Sequence, residues 1–318
     1  MPDRPRICVA GSLHFDIMVR APYLPRLGET LMGEAWWWKQ GGKGGNQAVA
    51  AARHGAAVTM IGALGPDEFG DRLRERMTAA GVDLSAVATV ERGSGMSVAI
   101  LQDDGDYAAV VVSGANRTID PDAVVAAGDA IRASRALLLQ HEIGEAANAA
   151  AARVARDAGV PVILNAAPAR PLGELAGLVD VLVVNTVEAE MLGAGPVVDL
   201  ASAGAAAHAL LGAAPTVIVT AGSAGVATAT VDGATDAIPA HPVDRADAHG
   251  AGDVFVGALA AHLAAGASLA DAVRYANAAA ALHVGTPEAE RERLGPDDVA
   301  RLLARAGAHA PTETTSEG

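Results

Sequence analysis

Towards the C-terminal end, Ala248-His249-Gly250-Ala251-Gly252-Asp253 stands just before a long Ala-rich apolar segment. Such small residues allow a tight turn with converging backbone N–H groups, and a helix starting directly after it adds the positive end of its dipole. That turn can hold an anion, and Asp253 stands beside it as a candidate base. The pairing suits transfer of a phosphoryl group to a hydroxyl. Gly250, Ala251 and Gly252 would steady the charge that develops during transfer, while Asp253 takes the acceptor's proton. A plain helix N-terminus with a favourable Asp would look the same locally.

A second small-residue segment, Gln40-Gly41-Gly42-Lys43-Gly44-Gly45-Asn46-Gln47, opens another helix-like run. Its glycines let a ligand approach the backbone, and Lys43 and Asn46 offer donors for a polyol or a phosphate. Glycine loses the most entropy on ordering, so so many of them are costly in a mere flexible cap. No Lys-Ser or Lys-Thr follows at the spacing of a Walker A loop. Asp16, just past the first strand, could accept from two sugar hydroxyls; an ordinary turn residue accounts for it nearly as well. His14 reads equally as a substrate ligand and as a satisfied strand-end residue. Gly11-Ser12-Leu13 does not complete a dinucleotide fingerprint, which weighs against hydride transfer.

Asn185-Thr186-Val187-Glu188 follows an apolar strand. Glu188 there could orient water on Mg²⁺, an ion that prefers oxygen ligands. An N-cap with acid in the first turn is the alternative, and the two are compatible. Thr220-Ala221-Gly222-Ser223-Ala224-Gly225 joins two strand-like runs and could contact nucleotide phosphate; a hairpin-like turn explains it equally.

These segments need a scaffold. Apolar runs at 7–12, 58–64, 136–140, 160–165, 181–185, 217–220 and 225–230 read as strands covered on both faces. Helix patterns at 45–54, 67–80, 143–158, 200–211, 253–264 and 269–283 alternate with them. The alternation predicts an α/β fold, helices on both sides of a mainly parallel sheet. Two stretches break the rhythm: 18–40, with Trp36-Trp37-Trp38, and 95–113, where strands at 95–102 and 107–113 flank the hairpin signal Asp103-Asp104-Gly105-Asp106. Together they predict a small sheet standing off the main domain. In an extended strand three adjacent tryptophans cannot share one side, so at least one should face a cleft or a subunit interface. The division expected is a core of 1–17, 41–94 and 114–306, the small sheet of 18–40 and 95–113, and a frayed tail at 307–318.

Composition narrows the classes. The 318 residues are 51% apolar but only 3% aromatic, so the core should be small and branched aliphatics. A net charge of -14 with scattered basic residues disfavours nucleic-acid and membrane partners. It leaves room for one small anionic ligand held locally. No apolar run is long enough for a membrane span, and the start runs directly into a strand, which together predict a cytoplasmic protein. The single cysteine, Cys8, permits no internal disulfide and reads as a buried small hydrophobe.

The chain resembles the ribokinase-like, or PfkB, family of carbohydrate and nucleoside kinases from about residue 7 to 303. One signature of that family matches Gly41-Gly42-Lys43-Gly44-Gly45-Asn46-Gln47-Ala48-Val49-Ala50-Ala51-Ala52, and a second matches Asp247-Ala248-His249-Gly250-Ala251-Gly252-Asp253-Val254-Phe255. Asn185-Thr186-Val187-Glu188 fits its Asn-x-x-Glu motif. The wording of the first signature, with Asn165-Ala166-Ala167-Pro168-Ala169-Arg170, is most similar to the ribokinase branch. The resemblance implies a three-layer α/β/α ribokinase-like fold with a small β lid, and a homodimer formed through paired lids. It assigns His14, Asp16, Gly42, Lys43, Asn46 and Glu142 to the sugar, and Asn185 and Glu188 to Mg²⁺ and phosphate. Thr220, Gly222, Gly225 and Asn277 would line the ATP site, Gly250 to Gly252 would be the anion hole, and Asp253 the base. The implied reaction moves phosphate from ATP to a primary hydroxyl of a small sugar, with a nucleoside as the rival acceptor and a non-catalytic sensor as a further alternative.

Three departures from the family pattern stand out. His14 replaces the usual Asn, Ala248 and His249 stand where a hydroxyl or β-branched residue is common, and Gly285-Thr286-Pro287-Glu288-Ala289-Glu290 lacks the basic-Gly-Ala pattern of the potassium loop. The last weighs against K⁺ activation at a site including Asp247, although backbone carbonyl ligands could survive.

Overall fold

The apolar runs become strands because neither side of their sheet meets water, so polar alternation is not required. The computed structural model describes residues 4–102, 107–244 and 247–308. Its strands are β1 (Arg6–Ala10), β2 (His14–Arg20), β3 (Ala35–Gly41), β4 (Ala57–Leu64), β5 (Val82–Asp83), β6 (Val87–Thr89), β7 (Gly95–Leu101), β8 (Tyr107–Val112), β9 (Ala136–Gln140), β10 (Val162–Asn165), β11 (Val181–Asn185), β12 (Thr216–Thr220), β13 (Gly225–Thr230) and β14 (Thr235–Pro239). Ten form the large sheet, ordered β14-β13-β12-β11-β10-β9-β1-β4-β5 with β6 beside β4. Pairing is parallel from β12 through to β5 and β6, and antiparallel only where β13 and β14 extend one edge.

Alternate residues of one strand serve opposite layers. Ile7 and Val9 join a core with Phe255, Val256 and Leu259, while Cys8 and Ala10 join another with Ala147, Ala151 and Ala206. The fold is thus the expected α/β architecture of three layers with a second, smaller sheet. Burial pushes the Cys8 thiol up to about 12, as befits an inert core residue. No helix among the described residues is long and apolar enough to cross a membrane.

The six helices anticipated from the sequence appear as Lys43–Arg53, Glu68–Ala79, Glu145–Asp157, Leu200–Ala209, Ala251–Ala264 and Leu269–Gly285. Local chemistry sets several starts: Asp67 accepts from Gly70 N–H, Asp199 from Ser202 N–H and Ser268 from Asp271 N–H. Several elements are not anticipated from the sequence: β5 and β6, the short helices Pro121–Ala126, Gly128–Arg132 and Thr186–Met191, the largely exposed β14, and the helix Pro296–Ala308. That helix takes the first two residues of the expected tail; the rest of the tail lies outside the described residues, as does the hairpin signal at 103–106.

The small sheet runs β3-β2-β7-β8. It starts at His14, four residues before the segment the sequence reading gave to it, so His14 and Asp16 stand on one of its strands. Asn116 joins it to the core, accepting from Leu13 N–H and donating to Leu13 O, both at 2.8 Å. Trp38 stacks on Phe15, which stacks in turn on Phe69 of the helix Glu68–Ala79. Trp37 lies on the other face under Arg20, and Trp36 is 68% exposed.

Candidate active site

Parallel pairing places the carboxyl ends of β1, β9, β10, β11 and β12 along one edge of the sheet, where ligands of open α/β folds collect. Ser12 and Glu142 lie just beyond β1 and β9, and Asn165, Asn185 and Thr220 close β10, β11 and β12. Across this edge lie the first turns of the helices Lys43–Arg53 and Ala251–Ala264.

Asp253, in the first turn of the second helix, is 9% exposed. Asn46 Nδ2 donates to its Oδ2 and Gln47 Nε2 to its Oδ1, each at 3.0 Å. Gln47 also donates to Asn165 Oδ1 at 3.0 Å and accepts from Gln140 Nε2 at 2.7 Å, so its amide has one orientation. Burial raises the Asp253 carboxyl above its ordinary range, against the nearby Lys43 charge and the two amide donors. The result is a basic, fixed carboxylate with a lone pair left on each oxygen. Sequence reasoning gave no role to Gln47, Gln140 or Asn165; the only signal was buried-type amides among alanines and leucines.

Of the residues expected to meet a sugar, Gly42, Lys43 and Asn46 lie together in the turn 41–47, Asn46 reaching Asp253 and Lys43 reaching Glu142, while Asp16 and His14 stand on β2. Gly42 caps the helix Lys43–Arg53 with φ 79°. Lys43 N–H donates to Glu142 Oε2 at 2.8 Å, and the same oxygen accepts from Ser12 Oγ. Asp16 accepts from Ser97 Oγ at 2.6 Å and pairs in register with Lys39. His14 is buried, and among the described residues no partner reaches its Nε2. Ser12 and Ser97 are further residues that the sequence did not single out.

On the other side, Gly250 takes the left-handed φ of 81° that starts the helix Ala251–Ala264. Ala251 N–H turns back to Ala248 O at 3.2 Å, so of the expected anion hole this donor is already engaged. Gly252 and Asp253, in the first turn, have no acceptor inside the helix. A cavity of about 190 Å³ is lined by Lys43, Asn185, Glu188, Thr220, Gly250, Gly252 and Asp253 among others. A broader cleft of about 660 Å³ shares Gly250 and Asp253 but runs away from the sheet edge, towards Arg53 and Arg76. Convergent carboxylates, amides and helix starts make the smaller cavity the better chemical site.

Asn185 and Glu188 form a reciprocal capping box, Glu188 N–H donating to Asn185 Oδ1 at 2.9 Å and Asn185 N–H to Glu188 Oε2 at 2.8 Å. Burial raises the Glu188 carboxyl, against Asn185 N–H and Lys43. Among the described residues no three acidic, His or Cys side chains gather as a metal cage. One buried carboxylate beside an anion-sized cavity fits Mg²⁺ carried on phosphates and reached through water. Thr220 Oγ1 donates to Val184 O at 3.3 Å. Gly222 and Gly225, both at positive φ, flank the start of β13, and Asn277 Nδ2 is taken by Pro239 O at 2.8 Å. Gly222, Gly225 and Asn277 do not line the small cavity.

Asp247 precedes the anion-binding turn. Its Oδ1 accepts from His249 N–H at 2.9 Å and its Oδ2 from Arg291 Nη1 at 3.1 Å. The loop after Gly285, whose sequence weighs against K⁺ activation, therefore delivers a guanidinium to Asp247, the residue considered for a monovalent cation.

The pfkB family carbohydrate kinase pattern matches residues 4–292. Ribokinase of Bacillus subtilis is 37% identical over 280 residues, spanning 87% of this chain and 92% of its own. Ribokinase of Haemophilus influenzae is 35% identical over 284 residues, 88% of this chain and 92% of its own. The structure of Arabidopsis thaliana ribokinase complexed with ribose and ATP superposes with a TM-score of 0.86 at 31% identity, covering 95% of this chain and 99% of that one. The chain belongs to the pfkB family of carbohydrate kinases. Its general activity is that of this class, an ATP-dependent phosphotransferase of ribokinase type.

Proposed function

We propose that the protein phosphorylates the primary hydroxyl of a small free sugar, with ribose the first candidate. The observation that carries this is the buried Asp253 carboxylate, held by Asn46 and Gln47 at the mouth of a cavity lined by helix-start N–H groups. The acceptor hydroxyl loses its proton to Asp253 as its oxygen bonds the γ-phosphorus of ATP. The bond from that phosphorus to the β-bridging oxygen breaks, and ADP leaves. Gly252 and Asp253 N–H groups and Lys43 face the charge that accumulates on the transferring group. Mg²⁺, when bound on the nucleotide with Glu188 nearby, neutralises phosphate charge.

Asp16, Ser97, His14 and Glu142 give the acceptor side a polar character suited to a sugar's hydroxyls. Trp38 is committed to its stack with Phe15, which leaves it unsuited to a nucleoside base. The structure of the matched Arabidopsis relative is complexed with ribose and ATP, which supports the same pairing here. A coupled ADP-release screen over pentoses, hexoses, pseudouridine and purine nucleosides with Mg²⁺ is expected to give its fastest turnover with ribose. Preference for a nucleoside would move the assignment to a nucleoside kinase, and tight binding without turnover to a sensor.

The same reading favours a homodimer through the small sheet. Trp36, Val110 and Val112 share one face by register and are exposed, Val110 by 69%. Sedimentation velocity is expected to show a dimer that Val110→Glu converts to monomer; a wild-type monomer at micromolar concentration would refute the pairing.

A further inference from the structure

Arg291 is a cation placed where arginine side chains seldom go, at 7% exposure. Its guanidinium meets three oxygens from two segments: Nε donates to Thr286 O at 2.9 Å, Nη1 to Asp247 Oδ2 at 3.1 Å and Nη2 to Asp247 O at 2.8 Å. Two peptide carbonyls and a carboxylate closing on one positive charge is the donor chemistry of a hard cation site. Here the charge is tethered to the chain. Potassium does not fit, because Asp247 Oδ2 and both carbonyls are already given to the guanidinium and Asp247 Oδ1 to His249 N–H.

The two segments it joins bear directly on the anion-binding turn. Asp247 Oδ1 holds His249 N–H, and His249 O bonds His283 Nε2 at 2.8 Å. Gly250 follows at once and starts the helix that carries Asp253. Nearby, Glu288 pairs with Lys39 at 3.8 Å and Glu292 with Arg76, so the loop that delivers Arg291 is itself tied to the small sheet and to the helix Glu68–Ala79. We infer that Arg291 is a built-in replacement for a monovalent cation: a positioning residue whose guanidinium fixes the 247–252 turn and makes the protein independent of K⁺. The inference deepens the kinase reading and rests on it only for its rate measurements.

The test compares the full chain in KCl, NaCl and N-methylglucamine chloride at equal ionic strength, by calorimetric melting and by ADP release with ribose. Wild type should melt at the same temperature and turn over at the same rate in all three. Arg291→Ala, and Arg291→Gln as a variant closer in size, should melt on the order of 10 °C lower in N-methylglucamine and lose about tenfold in rate. Either K⁺ or methylguanidinium should restore part of both losses. A K⁺-specific rise in wild-type melting temperature or rate would overturn the inference, as would variants that match wild type or that no cation restores. Should neither variant fold, the wild-type salt comparison decides alone. Absence of ADP release with every acceptor would sink the kinase reading and leave the melting comparison in force.

Discussion

Replacing Asp253 by Asn is expected to lower turnover by roughly 10²–10⁴-fold, the range over which positioned proton transfer contributes, with nucleotide and sugar affinities changed by no more than a few-fold. The surroundings tolerate the amide. Gln47 cannot turn over, since it also serves Asn165 and Gln140, so it goes on donating to the new side chain's oxygen. Asn46 touches only the other oxygen, and a flip of its amide lets it accept from the new NH₂. Stability should hold or rise. A carboxyl raised by burial favours the protonated folded state, so its contribution is complete at low pH and is lost as pH climbs through the raised value. A neutral amide has no such loss at pH 7. The same shift fixes the sign of the rate profile: in wild type the single-turnover rate should fall as pH drops, with its acid limb above the ordinary carboxylate range. Rapid-quench rates, isothermal titration and thermal melting check each part. Full activity in the Asn variant would remove Asp253 from proton transfer.

Gly257→Ala should be nearly as damaging although it touches no ligand. A methyl there would sit 2.6 Å from Ala50 Cβ, 2.7 Å from Gln47 O and 2.8 Å from Ala51 N. Three of these contacts are on the helix Lys43–Arg53, two of them backbone, so the helices must separate. Overpacking of this kind costs ~1–3 kcal/mol. The functional cost is larger, because Asn46 and Gln47 ride on one helix and Asp253 lies one turn before Gly257 on the other. Displacing reacting groups by about 1 Å can cost on the order of 10²-fold in rate, and that is the loss expected alongside a lower melting temperature. Gly204→Ala is the control: its methyl meets nothing within 4 Å and should stabilise by ~0.4–1 kcal/mol. A Gly257 variant with wild-type rate would show that helix separation and carboxylate placement are uncoupled.

Much of this was legible in the chain, for reasons that differ by element. The large-sheet strands announce themselves because a strand buried on both sides is a short unbroken apolar run, as in Val181–Asn185. β14 was illegible because an exposed edge strand, Thr235–Pro239, carries neither alternation nor an apolar run and is defined by its partner β13. In the site, Asp253 and the two glycine turns could be read because backbone demands leave a composition signature. Glu142, Asn277 and the Asp247 site came from family resemblance alone. The support behind Asp253 was hidden: Gln47, Gln140 and Asn165 come from three separate segments, and it takes the parallel pairing of β9 with β10 together with the packing of the helix Lys43–Arg53 on that edge to bring their amides into one chain of hydrogen bonds. The guanidinium of Arg291 was hidden likewise, since nothing in the spacing from Asp247 shows that the loop folds back.

The placement of aromatic residues has a practical consequence. All three tryptophans of the chain fall at 36–38, on the single strand β3. Near-ultraviolet excitation at long wavelength therefore illuminates the small sheet and nothing else. Within it, Trp38 lies against Phe15 with the Arg72 and Arg76 guanidinium groups 5.9 and 5.8 Å from its ring centroid, while Trp36 faces solvent. The native protein thus carries its own fluorophore at the junction of the small sheet with the main body, with one indole reading that joint and another reading whatever covers the exposed end of the sheet.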